Sequence, residues 1–374
     1  MCDVDQADLD RLLVMLAELD GSDLHIKAGA PPRMRIAGVL RTLDDEPAFT
    51  ADETRDLAKS IMAPPIRETF EDKHEVDFAY SLTGTGRFRV NAYYQRSSVA
   101  MAMRRVRPNA ATVEELGLPE VVNRLAEEVR GLVLVTGPTG SGKTTTLAAM
   151  VDHINHLRSS HVVTIEDPIE YLHHDDLAAI DQREVGFDTG SFSSAMRVVL
   201  RQDPDVILVG EMRDQETVSA ALTAAETGHL VLSTLHTINA TETINRIVDF
   251  FPPYQQTQIR VTLAGALKGI VCQRLLTTAD GANRVPALEV LVINGRIQQA
   301  ILDPMITSDI EEIVADGEYY GMLTFDQSLV ELLDAQRITL AEAMDAASNP
   351  HDLRVMLEQR GIMKTGQFAG VNPG

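Results

Sequence analysis

Gly131-Leu132-Val133-Leu134-Val135-Thr136, followed at once by Gly137-Pro138-Thr139-Gly140-Ser141-Gly142-Lys143-Thr144, is the stretch on which the reading of this chain turns. The first six residues are a short apolar run between turn signals, the pattern of a buried strand. From Thr144 onward apolar side chains recur at Leu147, Met150, Val151, Ile154 and Leu157, which is a helical period. The segment between them matches GxxxxGK[ST]. Strand, glycine-rich turn and helix in that order let backbone N–H groups and a helix N-terminus surround a polyphosphate. In that arrangement Lys143 reaches the β- and γ-phosphates and the Thr144 hydroxyl ligates Mg²⁺. A chance match in a chain of this length is roughly a 1% event at ordinary glycine frequencies. The sequence therefore predicts a nucleoside triphosphate site, with residues 137–144 and Thr145 as its candidate contacts.

Further strands should deliver the remaining chemistry. In an open α/β sheet the ligand lies beyond the carboxyl ends of the strands. The run 162–166 ends in Glu166-Asp167-Pro168-Ile169-Glu170, three carboxylates in five residues. The run Asp205-Val206-Ile207-Leu208-Val209-Gly210-Glu211 has glycine where a second nucleotide motif usually has aspartate, and Glu211 follows it. A carboxylate there can orient or deprotonate an attacking water. The fourth run, 230–234, is bracketed by His229 and His236. A carboxylate at a strand end is often only a helix cap, so it is the combination of all four strand ends that predicts a site.

The texture of the chain changes near residue 110. Before it, an amphipathic helix over 9–19 and strand-like runs at 23–27, 33–36, 76–81, 87–94 and 99–106 surround a helix at about 51–62, which predicts a small α+β domain. After it, strands and helices alternate, which implies a parallel-rich sheet covered on both faces. Helices are expected at 144–157, 193–202 and 215–227. Beyond Pro252-Pro253 the expectation is mostly helix to about residue 359, with one strand at 287–293. Cys272 is read within an apolar, helix-like stretch, and the tail 368–374 as disordered. The expected domains are thus 1–108, 109–294 and 295–374.

Composition narrows the function. The chain has 374 residues, two cysteines and a formal charge of −22. That charge opposes non-specific attraction to nucleic acid or anionic lipid. Two cysteines cannot build a four-cysteine zinc site. No stretch approaches the roughly 20 apolar residues of a membrane span. The acidic start, Met1-Cys2-Asp3-Val4-Asp5, lacks the basic and apolar pattern of a signal peptide. A cytoplasmic location is expected.

An ordered series of motifs resembles the ATPases of type II secretion and type IV pili, and within them the pilus-retraction branch. It comprises Ser22-Asp23-Leu24-His25-Ile26, Arg87-Phe88-Arg89-Val90-Asn91, the phosphate loop, Thr164 to Glu170, Leu200 to Asp214, Gly228 to Thr237 and Gly321 to Leu329. The resemblance implies a PAS-like N-terminal domain, a RecA-like P-loop ATPase core and C-terminal helices. It further implies a homo-hexamer that hydrolyses ATP with Mg²⁺ at subunit boundaries and acts on an inner-membrane platform protein. By the same resemblance Glu211 is the catalytic carboxylate, Glu166 and Glu170 lie near Mg²⁺ and the water, with Glu166 holding the metal through water, and His229 senses the γ-phosphate. Arg87, Arg89, Arg104 and Arg105 are candidates to reach a neighbour's nucleotide, with Arg89 and Arg104 foremost. The segment 296–303 aligns with the AIRNLIRE element of the retraction branch, keeping its apolar spacing but not its charges. Retraction of a pilus is the expected output. Pilus assembly, type II secretion-like export and nucleic-acid translocation are the alternatives.

Overall fold

A computed structural model describes residues 6–108 and 110–362. The expected tail, 368–374, lies outside them. The described chain divides into two compact units, one of residues up to 108 with 170–172 and one of 110–169 with 173 onward.

The first unit holds six strands, β1 (Gly21–Lys27), β2 (Arg33–Ile36), β3 (Val39–Thr42), β4 (Glu75–Leu82), β5 (Gly86–Gln95) and β6 (Ser98–Arg105). They form one antiparallel sheet in the order β3-β2-β1-β6-β5-β4. Successive side chains alternate between faces. On β5, Phe88, Val90 and Ala92 are buried, while Arg87, Arg89 and Asn91 point the other way. The buried face packs under the helix Gln6–Glu18, whose Leu9, Leu12, Leu13 and Leu16 recur at helical spacing and are all buried. Thr50 and Glu53 close a capping box on the helix Ala51–Ser60, which satisfies two backbone N–H groups that the helix itself cannot. A further helix, Pro64–Lys73, and β3 were not expected from the sequence. Their short apolar patterns carry too little periodicity to be read in isolation.

The second unit is built on β7 (Gly131–Thr136), β8 (His161–Glu166), β9 (Ala179–Glu184), β10 (Val206–Val209), β11 (Leu230–Leu235), β12 (Leu267–Thr277) and β13 (Arg284–Val292). Their order is β13-β12-β7-β11-β10-β8-β9, and every pairing is parallel except that of β12 with β13. Two apolar clusters flank the sheet. One contains Met150, Val151 and Ile154 of the helix Lys143–Leu157, and the other Val218, Ala221 and Leu222 of the helix Gln215–Glu226. Both faces of β7, β10 and β11 are therefore covered, and every residue in those strands is buried. This is the α/β, parallel-rich architecture expected of the core.

The helix-like reading around Cys272 is overturned. Cys272 lies in β12, an eleven-residue strand wedged between β7 and β13. Its continuous apolar run carries no period, and only the pairing edge offered by β7 decides in favour of strand. The helices within 295–359 bury Ile297, Ile301, Phe325, Leu329, Leu353 and Leu357 in the same cluster as the core sheet. They are part of the second compact unit.

Candidate active site

Parallel register brings the phosphate loop and three other strand ends to one rim. β11 pairs with β7 from Leu230↔Gly131 to Leu235↔Thr136, and β10 pairs with β11 and β8. The loop after β7 turns through glycines with φ of +143° at 137, +81° at 140 and +94° at 142. Gly137 has a spatial reason besides its angle and Gly140 has none. A Cβ on Gly137 would overlap the Gln273 carbonyl and stand 2.6 Å from Ser141 Oγ, whereas Gly140 faces open space and needs glycine for its backbone angle alone.

Lys143 is the first residue of its helix and is buried. Its ammonium donates to the carbonyls of Gly137 at 2.8 Å and Pro138 at 3.1 Å, so the cation is folded back over its own loop. Burial pulls its pKa below the ordinary lysine value, and the nearby charge of Glu211 acts against that pull. Ser141 Oγ is buried without a hydrogen-bond partner among the described residues. A glycine-rich turn at a helix N-terminus, with a buried cation and a hydroxyl unpaired among the described residues, fits an anionic phosphate group. The Thr144 hydroxyl, on the second residue of the same helix, and the Glu166 carboxylate at the end of β8 are oxygen donors of the hard kind that suits Mg²⁺.

Glu211 stands two residues beyond β10. Its Oε2 pairs with Arg213 Nη2 at 2.7 Å and its Oε1 with His236 Nε2 at 3.1 Å. Partial burial works to raise the carboxyl pKa, but the Arg213 hydrogen bond and the charges of His236 and Arg213 outweigh it and hold Glu211 below the usual range. The group is therefore ionised at neutral pH. The loop is anchored by Ser233 Oγ donating to the Val209 carbonyl and Thr234 Oγ1 to the Gly210 carbonyl, each at 2.7 Å. Gly210 is explained by space. A Cβ there would lie 3.2 Å from the Ile165 carbonyl and 3.4 Å from Glu166 Cα, so an aspartate would need the end of β8 to give by a few tenths of an ångström. Glu166 ends β8, is 8% exposed, and accepts from Thr164 Oγ1 at 2.6 Å and Gln182 Nε2 at 3.1 Å.

Two pockets open along this rim. One of about 320 Å³ lies among Glu211, Arg213, His236, Arg246 and Phe250. The other, of about 380 Å³, borders Gly142, Thr145, Leu116, Gln273 and Leu275. Gln273 is buried and its Oε1 has no hydrogen-bond partner among the described residues.

Not every expected residue is at the rim. His229 precedes β11 at its opposite end, where its carbonyl accepts from Gly131 N and its Nδ1 lies 3.0 Å from the Ala224 carbonyl. Six residues of extended strand at about 3.3 Å each separate it from the phosphate loop of its own chain. The histidine brought to Glu211 is His236. Glu170 belongs with the first unit, where its carbonyl accepts from Arg107 N. The four arginine candidates divide by strand register. Arg87, Arg89 and Arg104 share the outer face of the first sheet, while Arg105 reaches the Ala17 carbonyl and Asp20 at the end of the packed helix. Arg213 and Gln273 were not predicted. Arg213 lies two residues after Glu211 in a segment already singled out, so proximity in sequence was an available signal. Gln273 had none.

An ATP-hydrolysing P-loop protein is defined by this fold and rim: a phosphate loop with its lysine, a strand ending in a carboxylate, and an ionised glutamate whose charge acts on the lysine. The type II/IV secretion system protein family model matches residues 9–346, and the chain belongs to that family. It is 41% identical to the type IV pilus ATPase PilU of Pseudomonas aeruginosa, over 94% of this chain and 91% of that one. It is 42% identical to the type IV pilus retraction ATPase PilT of the same organism, over 92% and 99% respectively. A crystal structure of the pilus retraction motor PilT with bound ADP superimposes with a TM-score of 0.84 at 46% identity, covering 93% of this chain and 99% of that one. Among the described residues no helix is long and apolar enough to cross a membrane.

Proposed function

We propose that this chain is the Mg²⁺-dependent ATPase of a type IV pilus retraction machine, working as a homo-hexameric ring against an inner-membrane platform protein at the pilus base. The observation that carries the chemistry is the ionised Glu211 held between Arg213 and His236 within the field of Lys143. What supports the biological output is likeness over nearly the full length to pilus ATPases that include a retraction motor.

On this reading Lys143 leaves the Gly137 and Pro138 carbonyls for the β- and γ-phosphates of ATP, and the loop amides hold the same oxygens. Ser141 Oγ gains the partner it lacks. Thr144 and Glu166 are the residues that would hold Mg²⁺, which would supply charge neutralisation on the phosphates. Glu211 accepts a hydrogen bond from the attacking water and orients it. Held in the ionised form, it can also take up that water's proton, the general-base role. Leu116 and Leu275 flank the nucleotide base, and Gln273 Oε1 accepts from its amino group. The proposed division of labour is an N-terminal domain of 1–108, a motor core of 109–294 and C-terminal helices beyond it. The first domain presents Arg89 and Arg104 to the neighbour's site.

Deleting the gene and counting surface pili tests the output. Excess pili that fail to retract are the expected result. Bald cells would mean that the motor assembles filaments instead.

A further inference from the structure

The motif Ser22-Asp23-Leu24-His25-Ile26 has no role in the chemistry above, yet it places a buried carboxylate among arginines. Four directly opposed residues form a row across β2, β1, β6 and β5: Arg35, Asp23, Arg104 and Arg89. Residues opposed in this way share one face of the sheet, and here it is the face turned away from the helix-covered core. Leu24, Met34, Met103 and Phe88, each one residue along, are buried on the other.

Asp23 is only 7% exposed. Its Oδ1 accepts from Arg104 Nε at 2.8 Å, and its Oδ2 accepts from Ser22 Oγ at 2.7 Å and lies 3.7 Å from Arg35 Nε. Burial opposes the charge on Asp23, but these hydrogen bonds and the Arg104 charge keep its pKa below the usual range. Among the described residues Arg104 is engaged through Nε alone, and 74% of its side chain is exposed. An ion pair with so exposed a guanidinium adds little to stability. What it fixes is direction. Held at Nε, the planar group turns its two terminal nitrogens outward as a fork, the donor geometry that suits phosphate oxygens.

We propose that Asp23 is a positioning residue for Arg104, and that Arg35, paired with the same carboxylate, joins Arg89 and Arg104 in an arginine row offered to the triphosphate held by a neighbouring copy. The inference rests on the ring reading of the proposed function and assigns within it two residues that the arginine candidates did not include. The carboxylate on β1 serves guanidiniums on the two strands that flank it, Arg104 of β6 and Arg35 of β2, whose Nη1 also donates to the Gly38 carbonyl at 2.9 Å, so that their remaining donors can engage different oxygens of one polyphosphate. Ordering the forks before the nucleotide arrives removes part of the entropy cost of the encounter.

Steady-state ATP hydrolysis by the full chain tests this with Asp23→Asn, Arg104→Ala and the double variant, each alone and mixed with Lys143→Ala subunits. Misdirecting one catalytic group costs about tenfold or more in rate, so Asp23→Asn should lower kcat by that factor and leave KM for ATP within about threefold. A residue that acts through Arg104 has nothing left to position once the arginine is gone, so the double variant should lie within about twofold of Arg104→Ala. Lys143→Ala subunits keep an intact arginine row and should restore turnover to Asp23→Asn in mixed rings. Unchanged kcat in Asp23→Asn, or losses that multiply in the double variant, would overturn the assignment. Rescue of Arg104→Ala without rescue of Asp23→Asn would overturn it while leaving the ring reading intact. Failure to rescue either variant would bring down both. If Asp23→Asn does not fold, Arg104→Lys carries the test, because it keeps the charge but loses the pinned fork. A kcat near that of Arg104→Ala supports the proposal, and wild-type turnover refutes it.

Discussion

Glu289→Gln should make the core unit more stable, and the gain should grow with pH. Glu289 lies on β13 opposite Cys272 of β12, 7% exposed, with Oε1 accepting from Ala240 N at 2.6 Å. Burial pushes its pKa up to about 7 from 4.5, the charge of Glu311 adds to that, and the Ala240 N–H and Arg274 oppose it. Between those two values the folded chain keeps a proton that the unfolded chain has released. Stability therefore falls as pH climbs through the interval and levels off above the folded pKa. A displacement of about 2.5 units at 1.36 kcal/mol each is a loss on the order of 3 kcal/mol by about pH 8.5, of which about 2 kcal/mol is already present near pH 6. Glutamine keeps an oxygen for Ala240 N and does not titrate. The chain has no tryptophan, so urea unfolding is followed by far-UV circular dichroism, and working above the sequence pI of 4.8 keeps the protein in solution. Comparing the variant with wild type at each pH cancels every titration they share. The variant's advantage should increase by roughly 1 kcal/mol from about pH 6 to pH 8.5. An advantage that is constant or shrinks over that range would show that Glu289 is not a buried carboxylate with a raised pKa.

Two further outcomes concern the site. Glu211→Gln should retain ATP binding while turnover falls by roughly 10²–10⁴-fold, the usual worth of a general base, whereas Lys143→Ala should weaken binding itself. A nucleotide titration beside a phosphate-release assay separates them, and Glu211→Gln turning over at more than about a tenth of wild type would move the assignment to Glu166. His236→Ala, which strips one partner from Glu211, should lower kcat well beyond His229→Ala in the same assay. Equal losses would return His229 to the chemistry, acting from another subunit.

Local pattern fixed the phosphate loop, because a strand of buried apolar residues, a run of glycines and a helix of period 3.6 lie consecutively in the chain. Each element there needs only its own neighbours to be recognised. The same held for Glu211, which any strand over Val206–Val209 must carry at its carboxyl end. Composition likewise set aside a four-cysteine zinc site. Distance in space was another matter. Which end of β11 meets the loop depends on parallel register with β7, and this put His236 rather than His229 beside Glu211. The edge of β7 made a strand of the segment around Cys272 that has no period of its own. Proximity of Ile165 and Glu166 to Gly210 accounted for the missing aspartate. Alternation on β5 and β6, fixed by pairing across 15 residues and more, sorted Arg87, Arg89 and Arg104 from Arg105. A side chain's type and period are written in the residues next to it, but its partner is chosen by strand pairing between segments remote in sequence, and only the tertiary structure decides that.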